Sequence, residues 1–434
     1  MIRNGVATAT RTATRTALAT ENTVVCAAGR RAAALVSAPR QPAPATTRAQ
    51  PTRPFHSSLA SKAPAAAPQR AAQAAPATSA PAAEDGHDTI PGTSIRVFRT
   101  VAGLRAWRRE QLLAGRTVGL VPTMGALHEG HLDLVRVAAR DNDAVVISIY
   151  VNPTQFGVHE DLGSYPRTWD ADSRELAKLQ GELESENAAG RIEAVFAPTT
   201  AEMYPSGPPS QAIDGPGSFV TITPVGALLE GASRPTFFRG VATVCMKLFH
   251  IVQPERTYFG QKDVQQTVVL KRMVRDFAIP LELVVGPTVR EQPDGLALSS
   301  RNVYLGTRRR AVANVLRRSL LAAAEAASSS PKATYDEILA AAHRVADETL
   351  AAQKKLPPSK RALFEIDYLS LSEADTMEEL AADQTIDPTR GAILSGAVRM
   401  LPVEEPQPGE DLGHSGGPLV RLIDNIILEP TQGQ

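Results

Sequence analysis

The sequence predicts an α/β fold with a parallel sheet in a large domain, followed by a smaller α+β domain at the carboxyl end. From residue 94 to residue 288, short apolar runs bounded by turn residues alternate with segments of helical spacing. Strands that alternate with helices are typical of a parallel sheet with helices on its faces. After residue 288, two alanine-rich helical segments precede three strand-like segments, which indicates a separate α+β domain.

Periodicity and turn residues define the individual elements. The predicted strands of the large domain span residues 95–98, 117–123, 144–151, 195–197, 257–259 and 281–285. Its predicted helices span residues 102–114, 131–140 and 243–252. In the small domain the predicted helices are 308–327 and 335–353, the predicted strands are 364–371, 391–398 and 419–428, and a predicted surface loop spans 403–418.

Composition excludes several classes of protein. The 46 basic and 46 acidic residues balance, so no net field attracts nucleic acid or an anionic surface. No apolar run reaches the ~18 residues of a membrane-spanning helix. Cys26 and Cys245 are far apart, which excludes a disulfide framework and favours a reducing compartment. Cys245 lies in an apolar run and is interpreted as a buried small hydrophobic residue rather than a nucleophile.

Residues 1–93 are predicted to be a disordered N-terminal extension. The range 1–83 contains ten basic residues and one acid, Glu21, among Ala, Thr, Ser, Pro and Gln. Such a segment has too little large apolar surface to offset the entropy of ordering. Its composition is typical of a mitochondrial presequence, and residues 53–58 resemble the processing site of fungal matrix proteins. The prediction is the mitochondrial matrix, and the alternative is an untargeted tail on a cytoplasmic protein.

The string VPTMGALHEGH, residues 121–131, is the most informative segment. A predicted strand ends there, a loop with Gly125 and Gly130 follows, and a helix begins at the His-x-Gly-His. The glycines allow the backbone to approach a ligand, and a helix N-terminus suits a phosphate. His128 and His131 are three residues apart and face the same way, so both can donate to phosphates and to charge developing at phosphorus.

Two further segments carry residue types that bind phosphates. Residues 260–263 follow a predicted strand, and Lys262 offers a point charge while Asp263 can accept from a ribose hydroxyl. Residues 295–302 form a glycine-containing loop at the domain junction that could close over a nucleotide. The candidate residues of that loop are Ser299, Ser300 and Arg301. A solvated turn or a pair of capping serines would explain either segment alone, but together with the histidines they predict a nucleotide site.

These strings resemble one known family. VPTMGALHEGH, VNPTQF, YPRT, LEGASRPTFFRGVATV, FGQKDVQQ and DGLALSSRN occur in this order between residues 94 and 428 and are similar to the pantothenate synthetase (pantoate–β-alanine ligase) family. That family belongs to the nucleotidyltransferase superfamily shared with class I aminoacyl-tRNA synthetases. The resemblance implies a Rossmann-like domain at residues 94–288 that binds ATP and pantoate, a small lid domain at residues 289–434, and a homodimer formed through the large domain.

The resemblance also implies the site residues. The expected ATP contacts are Met124, Gly125, His128, His131, Gly260, Lys262, Asp263, Val289, Leu298, Ser299, Ser300 and Arg301. Among these, the expected catalytic residues are His131, the family's proposed proton donor, with His128, Lys262, Ser299 and Arg301. Gln155 and Gln266 match the pantoate-binding glutamines, and Asn152 and Tyr165 lie near the expected β-alanine position. Amide side chains suit pantoate because they donate to its carboxylate and exchange hydrogen bonds with its hydroxyls. Arg239 matches a basic position of the family, and no firm role follows for it.

The implied reaction is the ATP-dependent condensation of pantoate with β-alanine through a pantoyl-adenylate, with release of AMP and pyrophosphate. Mg²⁺ is expected as the cation of the nucleotide, which supplies most of its ligands, so no protein metal site is predicted. Asp170 and Asp172 are candidates for a supporting role near the metal. The family often has contiguous acids there, and the intervening Ala171 puts that role in doubt.

Two other functions compete with this interpretation. Another nucleotidylyltransferase of the same superfamily would need a basic pocket for a second phosphate, where this chain has Gln155 and Gln266. A nucleotide-binding regulator without chemistry would be favoured by loss of His131, Lys262 or Arg301, and all three are present. Two insertions relative to the family, residues 182–191 and 400–417, are interpreted as surface loops.

Overall fold

A computed structural model describes residues 88–157, 162–163 and 165–430. The predicted presequence, apart from residues 88–93, lies outside the described residues. Two sheets organise this part of the chain, one of seven strands and one of three. No helix among the described residues is long and apolar enough to cross a membrane.

The larger sheet is parallel except for its first strand. Its strands are β1 (Asp88–Thr89), β2 (Arg96–Phe98), β3 (Val118–Thr123), β4 (Ala144–Ile149), β5 (Arg191–Phe196), β6 (Arg256–Gly260) and β7 (Glu282–Gly286). Their spatial order is β1-β2-β5-β4-β3-β6-β7, and only β1 pairs antiparallel to its neighbour. Part of the range that the sequence assigns to the extension therefore adds a strand to the sheet.

The helices of the large domain connect these strands across the sheet. They are α1 (Val101–Leu113), α2 (Glu129–Asp141), α3 (Trp169–Ser185), α4 (Thr200–Met203), α5 (Glu230–Ser233), α6 (Phe237–Val252) and α7 (Val264–Asp276). Alternate residues of a strand face opposite sides of the sheet. Leu120 thus packs in the core with α1, α6 and α7, whereas Val121 packs in the core with α2 and α3. Both faces are covered, which explains why the central strands β3 and β4 are mostly apolar.

The strand order reverses at β3. From β3 the chain runs outward through β4 to β5, then returns to place β6 on the other side of β3. In open parallel sheets, ligands bind beyond the carboxyl ends of the strands at such a reversal. The loops after β3 and β6 begin at that edge and carry the predicted phosphate-binding residues.

The small domain packs three helices against an antiparallel sheet. Its elements are α8 (Gly306–Ala313), α9 (Val315–Ser329), α10 (Tyr335–Lys354), β8 (Phe364–Glu373), β9 (Ala392–Met400) and β10 (Val420–Leu428). β9 is the central strand, and its apolar residues share a core with α9 and α10. The predicted α/β fold with a smaller C-terminal α+β part is confirmed, and the structure shows that the small sheet is antiparallel.

The structure corrects several predicted element boundaries. The predicted helix 243–252 begins at Phe237, and the predicted helix 308–327 is divided at Asn314 into α8 and α9. The helices α3 and α7 were not predicted, because their polar faces dilute the apolar spacing. The first insertion is not a loop throughout: α3 continues to Ser185, and Glu182 forms an ion pair with Arg136 of α2.

The variant Gly240→Ala tests the close packing of α6 against the turn that follows β4. A Cβ atom built at Gly240 would lie 2.3 Å from the carbonyl oxygen of Thr154, a backbone atom that has little room to shift. We expect Gly240→Ala to lower the free energy of unfolding by ~1–3 kcal/mol through overpacking. Gly181→Ala, in exposed α3 with nothing within 4 Å of its Cβ, is the matched control and should raise stability by ~0.5–1 kcal/mol. Denaturant unfolding measures both, and equal stability of the two variants would contradict this packing.

Candidate active site

A cavity of about 890 Å³ lies at the carboxyl ends of β3, β4 and β6 and extends to the small domain. That volume suits a nucleotide together with a small substrate. Four of the chain segments that line the cavity are the loop after β3, the loop between β4 and α3, the turn after β6 with the start of α7, and the segment between β7 and α8. These segments hold the predicted site residues, all of which line the cavity except Gly125.

The loop after β3 presents the two histidines from the N-terminus of α2. His128 is the N-cap residue of α2, and the His128 and His131 rings stack with their centroids 4.0 Å apart. A Cβ atom at Gly130 would lie 3.0 Å from Cε1 of His128, so the glycine leaves room for that ring. The Nδ1 atom of each histidine is buried and has no hydrogen-bond partner in the described residues. Both rings therefore line the cavity with unused hydrogen-bonding capacity.

The surroundings keep both histidines neutral in the free protein. Burial, then the positive charge of Lys262, lower the pKa of His128. Burial, the neighbouring His128 and Lys262 lower the pKa of His131 to about 3. A bound triphosphate would bring opposing negative charge and favour protonation. The His131 imidazole is thus a neutral hydrogen-bonding group until an anion occupies the cavity.

Asp172 fixes the shape of the same loop from α3. Its carboxylate accepts hydrogen bonds from the backbone N–H groups of Ala126, at 3.1 Å, and Leu127, at 2.8 Å. Thr168 Oγ1 donates to the same carboxylate at 3.1 Å. Gly125 and Ala126 both adopt left-handed φ values of 81° and 51°, which turn these amides toward Asp172. Asp172 thus anchors the loop, whereas Asp170 is exposed, and a role for either acid near the metal stays a prediction.

The turn after β4 carries Asn152 and Gln155. Asn152 Nδ2 donates to Gln155 Oε1 at 3.0 Å and to the Gly240 carbonyl at 3.3 Å. Its Oδ1 accepts from the Tyr204 hydroxyl at 2.8 Å and the Thr154 hydroxyl at 3.0 Å. Protein groups therefore use the amide of Asn152 fully, and its contribution to the cavity is to orient Gln155.

An aromatic contact closes this side of the cavity. The rings of Phe156 and Tyr165 meet edge to face with their centroids 5.7 Å apart. Both residues line the cavity, as does Gln155 beside them. Gln155 and the predicted amine-binding residues thus share one wall, whereas Gln266 reaches the cavity from α7.

The turn after β6 brings Lys262 and Asp263 opposite the histidines. Lys262 Nζ lies 3.9 Å from Asp263 Oδ1, and the lysine side chain is 19% exposed. Two adjacent glutamines in the first turn of α7 have different roles. Gln265 Nε2 donates to the carbonyls of Val225 and Leu228, which makes it a structural residue. The side chain of Gln266 lines the cavity and makes no hydrogen bond to the described residues.

The segment between β7 and α8 is a tightly held hairpin. Val289 accepts from the backbone N–H of Leu298 at 3.0 Å, and Ser299 caps the following 3-10 turn by accepting from the N–H of Arg301. Arg310 of α8 forms ion pairs with Glu291 and, at 3.0 Å, with Asp294. The cavity face of the hairpin includes Val289, Leu298, Ser299, Ser300 and Arg301.

Two other residues singled out in the sequence are structural. Arg239 donates to the carbonyl of Ile213 at 2.6 Å and to that of Ala212 at 2.9 Å, and it stacks on Phe219. Cys245 is buried, and burial raises the pKa of its thiol to about 12. The interpretation of Cys245 as a small core residue agrees with this burial.

Other polar residues of the cavity were not predicted. Glu230 accepts from Arg234 of its own helix and pairs with Arg421 of β10, and Arg421 also bonds Asp367 of β8 at 2.8 Å. These contacts join the two domains beside the cavity. Arg421 is far from Glu230 and Asp367 in sequence, so no local string signals these two pairs. Among the described residues, no group of three or more His, Cys, Asp or Glu side chains could hold a metal ion.

Comparison with known proteins gives a consistent family. A sequence model of the pantoate–β-alanine ligase family matches residues 96–427. A pantothenate synthetase of Roseiflexus castenholzii is 44% identical over 335 residues, which are 77% of this chain and 100% of the relative. One from Chloroflexus aggregans is 46% identical over 334 residues, with the same coverage.

Solved structures agree with the sequence comparison. A pantothenate synthetase from Thermus thermophilus matches with a TM-score of 0.58 and 40% identity, over 76% of this chain and 99% of that chain. A pantoate–β-alanine ligase from Francisella tularensis, solved with β-γ ATP and β-alanine, matches with a TM-score of 0.50 and 27% identity, over 77% of this chain and 99% of that chain. The matches span both domains and all four segments around the cavity.

Asp172→Asn tests the loop anchor. An amide offers one acceptor oxygen to the N–H groups of Ala126 and Leu127, so one buried N–H loses its partner at a cost of ~1–3 kcal/mol. We expect the loop to loosen and the affinity for a nucleotide to fall by about tenfold or more, measured by calorimetric titration. Asp170→Asn, on the exposed side of the same helical turn, is the control and should bind as the parent does. Parental affinity and stability in Asp172→Asn would refute the anchor.

His131→Gln tests the depressed pKa of His131. An unfolded histidine has a pKa of about 6.5, so between pH 6.5 and 5 the unfolded chain takes up a proton that the folded chain excludes. Stability is therefore lost as pH falls below about 6.5, and His131 should contribute about 1–2 kcal/mol of that loss by pH 5. Urea unfolding at both pH values measures it, and His131→Gln should show the smaller loss. The same loss in both proteins would show that His131 titrates normally.

Proposed function

Because the chain belongs to the pantoate–β-alanine ligase family, we propose that its cavity condenses pantoate with β-alanine at the expense of ATP and releases pantothenate, AMP and pyrophosphate. The observation that carries the assignment is one cavity with two chemically different walls. The stacked histidines, Lys262 and the hairpin with Arg301 line one part of the cavity with donors for phosphates. Gln155 and Gln266 line the cavity with amides. An enzyme that joins two phosphorylated substrates would need a second cationic subsite, whereas Arg234 beside Gln155 is already paired with the Glu230 carboxylate.

The first step joins the acid to the nucleotide. A pantoate carboxylate oxygen attacks the α-phosphorus of ATP, the bond from that phosphorus to the bridging oxygen breaks, and pyrophosphate leaves. Charge moves onto the departing oxygens, where Lys262 and the histidine rings can donate hydrogen bonds. His131 is neutral in the free protein, so it serves first as a hydrogen-bond donor and gains proton-donor character as phosphate charge raises its pKa.

The second step forms the amide. The neutral amine of β-alanine attacks the carbonyl carbon of the pantoyl-adenylate, the carbon–oxygen bond to AMP breaks, and the nitrogen releases one proton to solvent. The mixed anhydride is already activated, so no protein nucleophile is required, and buried Cys245 is unsuited to that role. The protein contributes position: Asn152 holds Gln155 by the 3.0 Å bond, and the edge-to-face pair of Phe156 and Tyr165 limits water.

We propose that ATP enters as its Mg²⁺ complex. The phosphate wall offers nitrogen and hydroxyl donors, which bind phosphate oxygens, and Asp263 is the carboxylate nearest to Lys262. Mg²⁺ prefers oxygen ligands and keeps several waters, so phosphate oxygens would supply most of its coordination. The ion would neutralise phosphate charge, while the side chains hold the triphosphate in line with the acid.

We propose two further properties on the sequence and the family resemblance alone. The basic, acid-poor extension supports delivery to the mitochondrial matrix, which the distribution of a fluorescent fusion of residues 1–83 would test. Association as a homodimer through the large domain follows from the resemblance, and the molar mass in solution, measured by light scattering, would test it. Neither property enters the chemistry described above.

The proposed function is tested by pyrophosphate exchange into ATP. Pantoate should support exchange with β-alanine absent, because the acid and nucleotide walls are complete without the amine.

Lys262→Ala should lower the exchange rate by ~10²–10³ through loss of a donor to the leaving phosphates. Gln266→Ala should raise the KM for pantoate and leave that for ATP unchanged. Exchange that strictly requires β-alanine would contradict a separate activation step.

A further inference from the structure

We propose that Asn425 and Asp424 of β10 position both nucleotide-binding segments, so that the small domain sets the placement of Lys262. The two residues form a hydrogen-bonded chain from the turn after β6 to the hairpin before α8. This inference deepens the proposed function, because it assigns positioning residues to the same nucleotide site.

Asn425 holds the turn that carries Lys262. Its Nδ2 donates to the carbonyl of Gln261 at 2.8 Å and to the carbonyl of Lys262 at 2.9 Å. Gln261 Nε2 returns a hydrogen bond to Asn425 Oδ1 at 3.2 Å. Asn425 is 1% exposed, so these bonds are shielded from water. A short turn held at both successive carbonyls has little freedom, and the lysine extends from that turn into the cavity.

Asp424 holds the other segment. Its carboxylate pairs with Arg290 through two bonds, Nη1 to Oδ2 at 2.7 Å and Nη2 to Oδ1 at 2.9 Å. Arg290 pairs with Ala297 across the hairpin, and its Nη1 donates to the Gly295 carbonyl at 3.3 Å. A bidentate pair between side chains that are 19% and 6% exposed fixes direction as well as distance. The hairpin that carries Ser299 and Arg301 is therefore tied to β10.

The two anchors act as one unit. Asn425 donates its backbone N–H to Asp424 Oδ1 at 2.9 Å, which couples the carboxylate to the neighbouring residue. Successive side chains of a strand point to opposite faces, so β10 can hold the turn on one side and the hairpin on the other. Displacement of β10 would move Lys262 and Arg301 together. Neither Asn425 nor Asp424 has to touch the nucleotide for its loss to weaken nucleotide use.

The test is a double-mutant cycle of Asn425→Ala with Lys262→Ala. Affinity for a non-hydrolysable ATP analogue is measured by calorimetry, and the KM for pantoate is measured beside it in the exchange assay. Asn425→Ala alone should weaken analogue binding about 10–100-fold and change the pantoate KM less than about twofold, since a misplaced charge costs nucleotide contacts only. Added to Lys262→Ala, it should have little further effect, because the group that it positions is already gone.

Arg361→Met is the matched control. Arg361 makes a two-bond pair with Glu404 in the small domain, with Nη2 to Oε1 at 2.9 Å, and lines no part of the cavity. Arg361→Met should lower the stability of the protein without changing its affinity for the ATP analogue. In the double variant with Lys262→Ala, the effects of the two substitutions on analogue binding should be additive. Asp424→Asn, which is isosteric, enters the same cycle if Asn425→Ala does not fold.

The outcomes separate the proposal from the proposed function. Non-additive effects on analogue binding with an unchanged pantoate KM support positioning by β10. Additive effects, or equal loss of pantoate and analogue use in Asn425→Ala and Asp424→Asn, would make these residues structural only and overturn the proposal. Failure of the parent enzyme to exchange pyrophosphate would instead defeat the proposed function and leave analogue binding as the readout for β10.

Discussion

The site depends on one constraint, the parallel pairing of β3 with β6. Gly119 and Leu120 pair with Arg256 and Thr257, although the two strands are far apart in sequence. The pairing brings the carboxyl ends of both strands to one edge, and with them the histidine loop and the lysine turn. Leu120 and the neighbouring apolar residues bury this pair on both faces, so the sheet that forms the core also fixes the distance between the two halves of the phosphate wall.

Burial then sets the chemistry at that edge. The histidines are kept neutral by loss of solvent and by the charge of Lys262, so neither adds a cation to the free cavity. The fold has already oriented the hydrogen-bond donors that a bound polyanion meets. Binding to these donors costs less free energy than reorganising water around each transfer of charge. The same burial makes unpartnered polar groups unfavourable, which explains why the loop anchors Asp172 and Asn425 are engaged by backbone groups and by neighbouring side chains.

Local sequence patterns predicted the fold class and part of the cavity wall. The periodicity of each element and the residues of each motif are local properties of the sequence. Apolar runs predicted most strands of the sheet, and the strings around His131, Gln155, Lys262 and Arg301 predicted the four segments that carry the predicted site residues. The chain belongs to the family that these strings suggested. Asp172 was singled out, but the backbone amides that it binds could not be inferred without the left-handed conformation of Gly125 and Ala126.

Long-range contacts account for what the sequence could not predict. Asn425 contacts the turn that carries Lys262 although more than 160 residues separate them in sequence, and the contact of Arg421 with Glu230 has a similarly large sequence separation. Asn152 looked like a substrate-binding amide, and only the positions of Tyr204 and Gly240 show that its polar atoms are already used. Such assignments depend on the packing of separate elements, which no single string encodes.

The central claim is that the acid is activated at the α-phosphorus of ATP, and oxygen transfer tests it most directly. Pantoate labelled with ¹⁸O in both carboxylate oxygens is turned over with ATP and β-alanine, and the products are analysed by mass spectrometry. Attack on the α-phosphorus predicts one ¹⁸O in each AMP, one in the new amide and none in pyrophosphate. Label in pyrophosphate or inorganic phosphate, or AMP without label, would contradict the account.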